Sequence, residues 1–264
     1  MSMKLSYSLD DYIKSPSGPG SMLNSAVSIN LEKFRADLAA LESKYGQVTR
    51  TVYTSHSSKS STYFIHFKIP SSTPGFYNDL VFQFDSPQSD ATSVKDIRKY
   101  KVKFFANDAF FVFTYAYAYN KHGLLISDLE KKLPAKCISQ KPVTRNPDNA
   151  MGYSRNIVFG YLVMEREQLF EKQTLSNIAK PGGLIKVRSE ILTYDKQEQE
   201  RKRIEKELKE KNGKDKHSNG AKVWKSKSLL SNDKDNKPAI RLTGKVSRIG
   251  KTKTTKVVKK SKRI

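Results

Sequence analysis

The chain has 264 residues, with 49 Lys and Arg against 26 Asp and Glu, for a formal net charge of +23. Apolar residues make up 37%, below the usual share for a soluble domain, and no uninterrupted apolar run is long enough to cross a bilayer. The length allows one large domain or two small ones, but aromatics crowd into residues 45–170 and the last 70 residues are dominated by Lys, Glu, Ser and Asn, so one buried core followed by a polar extension is expected.

Residues 1–27 contain SPSGPGS at 15–21, which reads as a flexible N-terminal arm. A core domain is expected over 28–194. Asn30 is a good N-cap, and Leu31, Phe34, Leu38 and Leu41 recur at spacings that place them on one helical face. Tyr45 extends that face and Gly46 is a natural stop. A β-rich block follows. Residues 48–53 are rich in β-branched side chains. Tyr63, Ile65, Phe67 and Ile69 alternate with Phe64, His66 and Lys68 up to Pro70, and Leu80, Phe82 and Phe84 alternate again. Tyr100, Val102 and Phe104 alternate with Lys101 and Lys103. Four consecutive strands with polar links predict an antiparallel sheet.

FFVFTYAYAY at 110–119 reads two ways. Its alternation favours a strand, yet Asp108 can cap a helix that would share Phe110, Phe113, Thr114 and Tyr117 on one face, and periodicity does not separate the two. Residues 124–133 predict a short amphipathic helix ending before Pro134. Residues 137–153 read as a connecting loop and 156–170 as a helix with Ile157, Tyr161 and Met164 on one side. Pro181, Gly182 and Gly183 break the chain, and 184–194 suit a last strand or a link. Residues 195–212 predict a charged, solvent-exposed helix with only Ile204 and Leu208 as an apolar stripe, ended by Asn212 and Gly213. The expected class is therefore α+β, an antiparallel sheet with packing helices, then a charged helix and an extended basic C-terminal tail.

The search for catalytic chemistry is mostly negative. No phosphate-cradling glycine loop, HExxH or CxxC is present, and His56, His66, His122 and His217 are widely separated. Cys137 is alone, which rules out an intramolecular disulfide and suits a buried or loop thiol better than a nucleophile. With no signal-peptide core at the N-terminus, this predicts a chain made and kept in a cytoplasm, or in something assembled there. Asp10, Asp11, Asp85 and Asp90 could hold a nuclease metal, but each sits in ordinary turn chemistry. No enzyme, cofactor or metal is expected.

The tail carries the dominant signal. Residues 213–264 hold 17 Lys and Arg against 3 Asp, a balance of +14, and from 236 onward there are 11 Lys and Arg and no acid. Such a block repels itself, cannot bury a core and seeks polyanions. Lys245, Arg248, Lys251, Lys253, Lys256, Lys259, Lys260, Lys262 and Arg263 are the candidate nucleic-acid-binding residues. Their lysine bias suits phosphate neutralisation more than base reading. A solubilising tail, or one that orders along a partner protein, are the competing readings. The aromatic run Phe111, Phe113, Tyr115, Tyr117 and Tyr119 would suit a base-stacking platform, but core or interface is the expected role of rings in so apolar a segment. Lys68, Lys99, Lys101 and Lys103 suit solvent-facing strand positions.

The stretches FVFTYAYAYNKHGLLISDLEKKLP, from Phe111, and KPVTRNPDNAMGYSRNIVFGYL, ending at Leu162, resemble virion structural proteins of tailed bacteriophages that infect Gram-positive hosts. The similarity spans roughly 31–170 and leaves out the tail. It implies a head, connector or tail component without catalytic residues, located in the virion and assembled in the host cytoplasm. The expected function is a non-enzymatic structural or assembly protein that contacts DNA, mainly its backbone, through the tail. Other virion proteins and further copies of itself are the expected partners, with no membrane. The alternative is a free single-stranded nucleic-acid-binding or replication accessory protein that uses an aromatic sheet.

Overall fold

The computed structural model describes residues 7–14, 30–56, 61–85, 95–147, 152 and 154–218. Its centre is a five-stranded sheet in the order β4-β3-β2-β1-β5. The strands are β1 (Thr49–His56), β2 (Ser61–Pro70), β3 (Tyr77–Asp85), β4 (Lys101–Ala106) and the two-residue β5 (Lys180–Pro181). β1 to β4 form the expected antiparallel meander. β5 adds a short parallel pairing to β1, Tyr53 with Lys180 and Thr54 with Pro181, which makes the sheet mixed.

The register sorts the side chains into two faces, because residues directly opposite each other share one. Val52, Ile65, Phe82 and Phe104 lie in one row, flanked by Tyr63, Phe67, Leu80 and Phe84. Against this face pack helix α1 (Leu9–Lys14), helix α2 (Leu31–Tyr45) and helix α6 (Arg155–Arg166). Gly160 lets α6 approach closely, since a Cβ there would lie 2.5 Å from Leu80 Cδ2. The opposite face carries Tyr53, Phe64, His66, Val81 and Phe105, and is covered by α8 (Gly183–Glu190).

Helix α2 forms as its spacing predicts. Asn30 Oδ1 accepts from the Lys33 N–H at 3.0 Å, and Gly46, at φ 102°, closes the other end. Leu38 and Leu41 turn inward. The ambiguous aromatic run is two short helices, α3 (Ala109–Thr114) and α4 (Ala116–His122). Asp108 decides this locally, because its carboxylate accepts from the Phe111 N–H at 2.9 Å and starts the first turn. Helical spacing then buries Phe111, Val112, Ala116, Ala118 and Tyr119 and leaves Phe110 and Phe113 outside, a division that a strand could not make.

Other segments differ from the sequence reading. Residues 9–14, placed in the flexible arm, form α1, because Leu9 and Ile13 are buried and Tyr12 lies on the Phe104 ring at 4.7 Å. The expected helix at 124–133 begins extended: Phe104 N–H donates to Leu124 O and Ile126 N–H to Phe104 O, at 2.8 and 3.0 Å. A 3-10 helix (Ser127–Lys132) follows. The connecting loop contains α5 (Ala135–Ser139), and α7 (Lys172–Ile178) follows α6. Residues 183–190 are helix α8, not a strand; buried Val187 and Ile191, four apart, lie on one side of it. Helix α9 (Tyr194–Ser218) runs past Asn212 and Gly213, since a glycine inside a helix costs about 1 kcal/mol yet breaks no backbone hydrogen bond.

Candidate functional site

Lys245, Arg248, Lys251, Lys253, Lys256, Lys259, Lys260, Lys262 and Arg263 lie outside the described residues. What the structure describes is the element that leads to them. α9 has 25 residues, about 37 Å at 1.5 Å per residue. Its first half is docked, unlike the fully exposed helix expected from sequence. Gln197 is buried and its amide donates to Tyr77 O at 3.2 Å, Thr73 Oγ1 donates to Glu205 Oε1 at 3.1 Å, and the Tyr194 ring meets Phe113 edge-on. Arg201, Ile204 and Leu208 continue the half-buried side. From Lys206 on, the helix is largely exposed through Lys211.

Several arginines of the body carry local carboxylate partners. On α9, Arg201 pairs with Glu198 at 2.6 Å and Glu205 at 3.3 Å, Arg203 pairs with Glu200, and Lys206 faces Glu210 at 3.9 Å. Elsewhere Arg35 pairs with Glu165, Arg50 with Glu167, Arg98 with Asp96 and Arg166 with Glu42, all within 2.8 Å. Burial pushes the Asp96 carboxyl up, but the hydrogen bonds from Arg98 outweigh it and leave it below the usual carboxylate range. Lys68, Lys101 and Lys103 share one sheet face, yet in the strand register Lys68 lies opposite Asp79, Lys101 opposite Asp85 and Lys103 opposite Gln83, so they sit at opposite ends of it.

Apart from Tyr77 at the start of β3, which is exposed, the aromatic side chains of the sheet are enclosed. Tyr63, Phe64, Phe67, Phe82, Phe84, Phe104 and Phe105 are each at most 3% exposed, because both faces are covered by helices. Of the run singled out in the sequence, Phe111 and Tyr119 are buried, Tyr115 and Tyr117 are half-buried, and Phe113 is exposed.

Beneath α8 lies a polar network that no sequence signal marked, since its members are separated by up to 137 residues. His66 Nε2 is 2.8 Å from Asp79 Oδ1 and His66 Nδ1 is 3.1 Å from Glu190 Oε2. The Tyr53 hydroxyl donates to Glu190 Oε1. Asn107 Nδ2 donates to Asp79 Oδ2 at 2.8 Å, and its Oδ1 accepts the Asp79 N–H at 2.7 Å. Both imidazole contacts are hydrogen bonds only when both ring nitrogens carry protons. Burial pushes the Tyr53 hydroxyl up to about 12, reinforced by Glu190. Burial also raises the Glu190 carboxyl, but the bonds from Tyr53 and His66 outweigh it and hold it low. The bonds of Glu190 to Tyr53 and His66 clamp α8 to β1 and β2.

A cleft of about 930 Å³ is lined by Asp96, Arg98, Phe170, Glu171 and Lys172 among others. Arg98 there is committed to Asp96 and stacks on Phe170 at 4.8 Å. Asp11 accepts from Ser8 and Asp85 from Gln83 and Thr62, as turn and strand-end carboxylates do; Asp90 lies outside the described residues. Among the described residues no three His, Cys, Asp or Glu side chains gather in a group that could hold a metal ion. Nor is any helix among them long and apolar enough to cross a membrane. No protein-family model, no curated protein and no solved structure matches this chain.

Proposed function

We propose that this chain is a non-enzymatic structural or assembly protein of a tailed-phage particle, in which the folded body makes protein contacts and the tail neutralises the backbone of DNA. The particle is assembled in the host cytoplasm and the chain works in several copies. The supporting observation is how charge is partitioned. Arg35, Arg50, Arg98, Arg166, Arg201 and Arg203 in the body carry carboxylate partners, and residues 1–212 hold 32 Lys and Arg against 23 Asp and Glu, whereas residues 213–264 have a balance of +14. Excess positive charge of that kind is available to phosphates, and binding releases their condensed counterions. The burial of the sheet aromatics favours the tail over the sheet as the contact with nucleic acid, because a ring must be exposed to stack on a base.

The test compares the full-length chain with a full-length variant in which the nine cations from Lys245 to Arg263 are replaced by Gln. Binding to single- and double-stranded DNA is measured against salt. Each duplex phosphate neutralised contributes about −0.9 to the slope of log K against log salt, so the variant loses up to about 8 from the slope if all nine engage. Equal loss on both probes supports the proposal. Unchanged binding with a preference for single strands assigns the contact to the body instead.

A further inference from the structure

Phe110 and Phe113 on α3 are 50% and 42% exposed, and Val143 is 88% exposed. Phe113 and Val143 belong to one feature, a dent of about 430 Å³ between α3 and the segment that begins with α5. Its apolar lining is Val112, Phe113, Cys137, Pro142 and Val143, and Lys136 and Lys141 line it as well. Gln140 completes the lining, which holds no acidic residue. Lys136 and Lys141 are exposed, and neither ammonium group has an ion pair among the described residues. With no carboxylate in the lining, these two lysines set an uncompensated positive charge beside its apolar side chains.

We propose that this dent docks an acidic peptide segment of a partner protein, which inserts one aromatic or aliphatic side chain between Phe113 and Val143 and sets flanking carboxylates against Lys136 and Lys141. Charge complementarity selects an anionic occupant, and the apolar lining selects its anchor. The volume suits a side-chain anchor at the small end of ligand pockets, and aromatic anchors in such pockets carry most of the binding energy at interfaces. A protein fits better than a nucleic acid. Valine, proline and a thiol offer no flat π-face, and the Phe113 ring already meets Tyr194 perpendicularly at 5.7 Å. Symmetric docking of a second copy would bring identical lysine pairs together, since a two-fold interface uses the same patch twice.

Cys137 supplies a reporter. It is the chain's single cysteine, half-buried in the dent, with its thiol pushed up by burial. The experiment follows alkylation of the full-length chain by iodoacetamide at pH 8, read by intact mass. The probes are acidic heptapeptides with Phe, Leu, Ile or Trp at the centre, the same peptide with central Ala, and an oligo(dT) of matching charge. The proposal expects at least one anchored peptide to slow alkylation tenfold or more at saturation, with the Ala peptide and oligo(dT) slowing it less than twofold. A Lys136→Glu/Lys141→Glu variant and a Val143→Asp variant should each abolish the protection. The tail attracts every anionic probe equally, so anchor-dependence separates the dent from it. Protection by none of the anchored peptides overturns the proposal, as does equal protection by the Ala peptide or by oligo(dT). Alkylation that slows with protein concentration alone assigns the dent to a second copy and overturns it equally.

Discussion

Gly160 sits in the middle of α6, and replacing it with Ala tests whether this helix is held on the sheet by close packing. The added methyl would lie 2.5 Å from Leu80 Cδ2, 2.9 Å from Phe82 Cζ and 3.3 Å from Phe82 Cε2. Unstrained carbon contacts lie at about 3.5–4.0 Å, so roughly 1 Å must be found. Leu80 and Phe82 are fully buried and cannot swing into solvent. Overpacking of this kind costs about 1–3 kcal/mol, while the better helix propensity of Ala returns about 1 kcal/mol. The expected result is a net loss of up to about 2 kcal/mol in urea unfolding, with an unchanged slope. Leu80→Ala alone should cost about 2–5 kcal/mol by leaving a cavity. In that background the Gly160→Ala methyl enters the vacated space, so its effect should fall to near zero or become favourable. A Gly160→Ala cost that is the same in both backgrounds, or a stabilised single variant, would refute the packing argument.

Other expectations concern the clamps around the sheet. Glu42 is buried, accepts the Val48 N–H at 3.0 Å and pairs with Arg166; Glu42→Ala leaves that buried donor unpaired and should cost about 1–3 kcal/mol, measured by chemical denaturation. Glu190 has a depressed pKa in the fold, so its contribution is present above the unfolded value near 4.5 and is lost as pH falls through the lower folded value. Melting temperature should therefore drop from pH 5 downward, and a Glu190→Gln variant should show a shallower drop; an equally steep acid limb would remove Glu190 from the account. Tyr53 is held up to about 12, so Tyr53→Phe should delete a late-titrating phenol from the alkaline ultraviolet titration.

The parts of the fold legible in the sequence were those whose signal is local. Asn30, the spacing of Leu38 and Leu41, and Gly46 specify α2 without outside help. The alternation at Tyr63, Ile65, Phe67 and Ile69 marks β2 because one of its faces is uniformly apolar. The other face was harder to read, since His66 looks like a solvent position in the sequence and is 2% exposed in the fold. Only the carboxylates of Asp79 and Glu190, brought by another strand and by α8, make that burial affordable. α8 itself was hidden for a related reason: two buried residues, Val187 and Ile191, are too few for a period to show. At 110–119 both periods fitted, and Asp108 was the one local cue that separated them. The dent draws on α3 and on residues 136–143, and no sequence motif joins them.

Short pieces of chain cover part of each margin of the sheet. At β4, Ser8 bridges Lys101 and Leu125 bridges Phe104, with Val102 N–H donating to Tyr7 O at 2.9 Å. At β1, the added strand ends in Pro181, which has no N–H to offer a further strand. A strand from a neighbouring molecule would have to displace Ser8 and Leu125 on one side and would meet a proline on the other. These pieces guard part of each edge against fusion with the sheet of another molecule, and leave side-chain surfaces, where register and partner can be chosen, as the route for any contact between molecules.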